Sequence, residues 1–121
     1  MYAAGACRAM PPPWTRNELK VEGLDLDALL RETGMAMQKE KKMPPMAEMA
    51  IRENCIRKAR IRLDGERVRV EDSGDAFSLF DHADWAKVDF VEFEAYRLIY
   101  IDAFEARVQA RYDALRKAAS P

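Results

Sequence analysis

From Asp81 almost to the last residue, the chain keeps a helical pattern of apolar and charged positions. Asp81 and Asp84 stand near its start, and Arg107, Arg111, Arg116 and Lys117 near its end, as the helix dipole favours. One helix over residues 82–118 would be about 55 Å long at ~1.5 Å per residue. A compact chain of 121 residues has a radius of gyration of only about 14 Å. Such a rod must protrude, bend or pack against another chain, unless a break around Lys87–Asp89 divides it into two helices. Its middle, from Phe90 to Phe104, is apolar on more than one side, as expected of a helix that is deeply buried or self-associating. Phe93, Tyr96, Tyr100, Phe104 and Tyr112 recur there at helical spacing. They are either core or the anchors of an interface, where Tyr and Phe concentrate binding energy.

The rest of the chain predicts a mainly α protein: a small helical domain with a short β-hairpin at about 59–70 and the long C-terminal helix. Residues 1–23 read as a Pro-rich arm, in which Pro11-Pro12-Pro13 favours an extended polyproline segment and Trp14 anchors it to a partner surface. Residues 24–121 read as one domain, since 49% apolar content supplies a core but the length does not supply two. Asp25 caps a short helix from Leu26 to about Thr33, with Leu26, Leu29 and Leu30 inward and Gly34 as its stop; residues 35–43 can continue helically. Pro45 opens a second helix through about Lys58, whose inward stripe is Met46, Met49, Ile56 and Ala59, widened by Ile51 and Cys55.

The net charge of -1 conceals strong segregation. Residues 38–70 hold ten bases against five acids, and residues 71–105 two bases against ten acids. Opposed patches of this kind neutralise one another within a fold or steer association with a partner. In the hairpin, a two-residue Asp64-Gly65 turn pairs Arg62 with Arg67, Ile61 with Val68 and Arg60 with Arg69. Arg60, Arg62, Arg67 and Arg69 then share one face, and opposed like charges call for an acidic partner. An arginine-faced ribbon also suits a nucleic-acid groove, with Lys41, Lys42, Arg57 and Lys58 on phosphates. Against nucleic acid stand the acidic segment and a pI near 5.9. Five methionines between Met35 and Met49 suit either a core or a surface that repacks on partners.

Little in the residues points to an enzyme. His82 is the single histidine, and its neighbours Asp81 and Asp84 are explained more simply by the helix start than by a metal. Neither a phosphate-binding glycine loop nor a paired-histidine site is present, so no catalytic residue, metal, cofactor or small-molecule substrate is expected. Cys7 and Cys55 are too few for a disulfide scaffold and fit a reducing compartment, though one bridge between them is open. No run approaches the roughly 18 apolar residues of a membrane span. Met1 to Cys7 lacks the basic and apolar regions of a signal peptide, so a cytoplasmic protein is expected.

The run from Glu53 to Glu66, followed by an acidic stretch and Phe77-Ser78-Leu79-Phe80, resembles small tail-assembly chaperones of tailed bacteriophages over about residues 46–100. Those are helical proteins with a Cys-containing helix before a short acidic connection. The long aromatic helix and the Pro-rich arm depart from that pattern and favour a part of an assembled structure. The resemblance implies a non-enzymatic protein in the host cytoplasm or virion, binding other assembly proteins; it assigns no residue a role. The functional expectation is therefore an oligomeric or complex-bound interaction protein. The alternatives are nucleic-acid binding through the arginine face and inhibition of a host defence protein.

Overall fold

The structure, a computed structural model, describes residues 16–71 and 89–119. Expectations that fall on Cys7, the proline run, Trp14, the acidic link, the Asp81–His82–Asp84 cluster and the Lys87–Asp89 break lie wholly or largely outside the described residues. In chain order the elements are β1 (Arg16–Asn17), α1 (Leu26–Lys39), α2 (Pro45–Ile51), a π-helical turn (Arg52–Ile56), β2 (Arg60–Asp64), β3 (Arg67–Glu71) and α3 (Phe90–Ala119). The protein is mainly helical, with a short β-hairpin and a long C-terminal helix, as its sequence predicts.

Asp25 caps α1 as expected, its carboxylate accepting from the Ala28 N–H at 3.0 Å. Leu26, Leu29, Leu30, Thr33 and Met37 face inward. Gly34 does not stop this helix, which runs on to Lys39. Its missing side chain serves packing instead: a Cβ there would sit 2.3 Å from Glu48 Oε2 and 2.8 Å from the Tyr100 hydroxyl. The actual end is a Schellman turn, in which Lys42 N–H donates to Met37 O and Lys41 N–H to Gln38 O. Lys41 holds the left-handed position with φ of 55°, where glycine is the unstrained residue. Lys41→Gly is expected to raise the unfolding free energy by about 1 kcal/mol in a urea titration.

Pro45 opens α2 as expected. The inward stripe differs from the expected one: Met46 and Met49 are exposed, while Ala47, Glu48, Ala50 and Ile51 are buried. The small side chains of Ala47 and Ala50 fit the inward side, leaving the longer methionines outward. The following turn widens to π geometry, with Arg57 N–H bonded to Arg52 O, and carries Cys55 and Ile56 into the core.

The hairpin forms, in a different register from the expected one. Asp64 pairs with Arg67, Leu63 with Val68, Arg62 with Arg69, Ile61 with Val70 and Arg60 with Glu71. The two-residue loop is Gly65-Glu66, one position later, with Gly65 at φ 68°. Moving a two-residue loop by one position shifts the pairing by two, so each side chain keeps its face. The gain is electrostatic: of the two expected Arg–Arg oppositions one remains, as Arg62–Arg69, while Arg60 now stands opposite Glu71 and Arg67 opposite Asp64. β1 adds a third strand, parallel to β2, with Glu18 N–H bonded to Ile61 O at 2.8 Å. Leu19, like β1 within the expected arm, is buried in the main core.

α3 is 30 residues, about 45 Å, and starts just after Asp89, whose carboxylate accepts from the Val91 and Glu92 N–H groups. It runs antiparallel to α1: Tyr100 lies beside Leu30 and Gly34, while Arg107, Ala110 and Ala114 line a cleft with Asp25, Ala28 and Glu32. Phe93, Tyr100, Phe104 and Val108 form its buried stripe over α1, α2 and the sheet.

Candidate functional site

The arginine face of the hairpin supplies most of its own counterions. Arg60 Nη2 lies 2.7 Å from Glu18, Arg62 Nε bonds Glu71, and Arg69 Nε is 3.8 Å from Asp64. The Arg62 guanidinium holds the Glu71 carboxyl below the usual carboxylate range. Of the four arginines singled out from the sequence, Arg67 alone makes no ion pair among the described residues, though Asp64 stands opposite it. Such exposed pairs are screened by solvent and add little to stability, but they neutralise the face.

The aromatic residues of α3 divide in two. Phe93, Tyr100 and Phe104 are completely buried in this chain's own core. Tyr96 and Tyr112 are partly buried against it; Tyr96 donates to Glu92, and Arg116 stacks over the Tyr112 ring at 5.4 Å. The outward side of the same helix is aliphatic where it begins. Val91, Leu98 and Ile99 are 75%, 57% and 40% exposed. Val91 and Leu98 are seven residues apart, two turns along one side, opposite Tyr100. The apolar run from Phe90 to Phe104 carries both sides in its sequence, and the larger aromatic residues Phe93, Tyr100 and Phe104 take the inward one. Met35, Met46 and Met49 add flexible apolar side chains on α1 and α2, exposed by half or more.

Beneath α1 and α2 lies a polar cluster that sequence spacing does not reveal. Glu48 is wholly buried, yet Gln38 Nε2 donates to it at 2.7 Å, Arg52 Nε at 2.8 Å and the Tyr100 hydroxyl at 2.7 Å. Burial alone would raise its pKa; the hydrogen bonds from Arg52, Tyr100 and Gln38 outweigh burial and hold the carboxyl below its ordinary value. Burial, then Glu48, pushes the Tyr100 phenol far up, so it remains a donor. Arg31, Gly34, Met35 and Gln38 line a small cleft above this pair. The carboxylate is satisfied on both oxygens, so the cluster ties three helices together and leaves no unpaired acid or base for chemistry. Among the described residues, no group of three or more His, Cys, Asp or Glu side chains is placed to hold a metal ion.

No protein-family model, curated protein or solved structure matches this chain. None of the helices among the described residues is long and apolar enough to cross a membrane.

Proposed function

We propose that this chain is a non-enzymatic interaction protein, working as an oligomer or as a subunit of a larger assembly, with the start of α3 as its docking face. The observation that carries this reading is the outward aliphatic patch of Val91, Leu98 and Ile99 on a helix whose opposite side already fills the core. A surface helix normally presents polar residues on the side away from its core, so apolar residues on both sides favour contact with a second chain. In the setting that the tail-assembly resemblance implies, that chain is another assembly protein. Nucleic-acid binding has less behind it, because three of the four hairpin arginines already face carboxylates.

The test is Leu98→Glu, a change at an exposed position that places a charge in the patch. Its expected result is an unchanged melting temperature, within about 2 °C, with loss of the wild-type oligomer or complex in light scattering. A variant that folds and keeps the wild-type assembly state contradicts the reading.

A further inference from the structure

Among the described residues β3 is an edge strand, and its outer edge is occupied in an unusual way. In a hairpin closed by Gly65-Glu66, the pairs 64:67, 62:69 and 60:71 are the hydrogen-bonded ones. The main-chain groups of Val68 and Val70 therefore point away from β2. The Val70 N–H donates to Glu105 Oε2 at 2.9 Å and the Val68 N–H to Gln109 Oε1 at 2.7 Å, while Gln109 Nε2 donates to Glu66 O at 3.1 Å. Residues i and i+4 on a helix stand about 6 Å apart, and i and i+2 on a strand about 6.6 Å, so the two side chains match successive outward amides as a neighbouring strand would.

The strand beneath them, Arg67-Val68-Arg69-Val70-Glu71, complements itself when turned antiparallel about Arg69. Val68 would exchange both main-chain bonds with Val70 of the second copy, and Arg67 would stand opposite the second copy's Glu71 at both ends. Only Arg69 would meet its own kind, in the centre. Self-pairing of exposed edges is the characteristic hazard of open sheets, and covering the edge is one recognised remedy. A cleft of about 670 Å³ runs between the hairpin tip and α3, lined by Arg67, Glu105, Ala106 and Gln109 among others, so the helix does not close the edge with backbone.

We propose that Glu105 and Gln109 form an autoinhibitory edge guard: they hold shut a self-complementary strand that, once released, pairs with β3 of a second copy to make one continuous sheet. This stands apart from the docking face of α3, since neither Glu105 nor Gln109 belongs to that patch.

The test compares the full chain with Glu105→Ala/Gln109→Ala by sedimentation, after circular dichroism has shown the variant folded. The weight-average mass is expected to at least double relative to wild type at equal concentration. Adding Glu71→Arg, which sets arginine against Arg67 at both ends, should return the mass to the wild-type value; adding Arg67→Glu as well should restore the doubling. A folded double variant with wild-type mass overturns the proposal, as does a mass increase insensitive to Glu71→Arg. Should the double variant fail to fold, Gln109→Ala, which frees the Val68 amide alone, goes through the same arms. These outcomes leave the Leu98→Glu result untouched, so the two readings fail separately.

Discussion

Glu48→Ala is expected to lower the unfolding free energy by about 3 kcal/mol at neutral pH, read as a fall in the urea midpoint. Breaking a buried ion pair from one side costs ~3–5 kcal/mol, because the partners keep their desolvation penalty and lose their compensation. The lower end applies because Arg52 retains Glu53 and some access to water. The Tyr100 hydroxyl and the Gln38 amide lose their shared acceptor as well. The ionised carboxylate also makes stability pH-dependent in a defined direction. Its folded pKa lies below the ordinary value of 4.5, so its contribution is complete above that value and is lost as pH falls through the lowered one. Wild type should therefore lose stability more steeply than Glu48→Gln below pH 4.5. Parallel acid limbs would show that Glu48 is not held ionised.

Gly34→Ala is expected to destabilise the fold by about 2 kcal/mol, against the ~1 kcal/mol that alanine gains over glycine in a helix interior. The sign comes from the close approach. A Cβ at this position meets the Glu48 carboxylate and the Tyr100 hydroxyl well inside contact distance, and both are held by the hydrogen bonds that define the cluster. Much of the cost should vanish in a Glu48→Ala background, where two of the three close contacts are gone. A double-mutant cycle should therefore give a coupling of about 1 kcal/mol or more. Additive effects would mean that Gly34 is needed for some other reason.

These two residues also mark where the sequence stops being readable. Hydrophobic period, the Asp25 cap, Pro45 and the glycine turn carry local physics, and they placed the helices and the hairpin. Gly34 has the look of a helix stop because its reason for being glycine lies far away in the chain, at Glu48 and Tyr100. Glu48 looks like a surface acid until α1 and α3 close over it. The hairpin register turned on cross-strand charge, which the Asp-Gly dipeptide alone does not weigh. β1 was missed because a two-residue strand has no period, and it forms only once β2 exists to pair with. On α3 the doubled apolar character was legible, but not which side would turn inward. Phe93, Tyr100 and Phe104 filled the space between α1, α2 and the sheet, and the smaller Val91, Leu98 and Ile99 were left outside.

The outward aliphatic side of α3 carries the account, and the mass of the native protein in solution tests it most directly. Light scattering over a wide concentration range, with a parallel pull-down from the source cell, should find a homo-oligomer or a stable complex with a second protein. A clean monomer at high concentration that retains no partner would contradict the account.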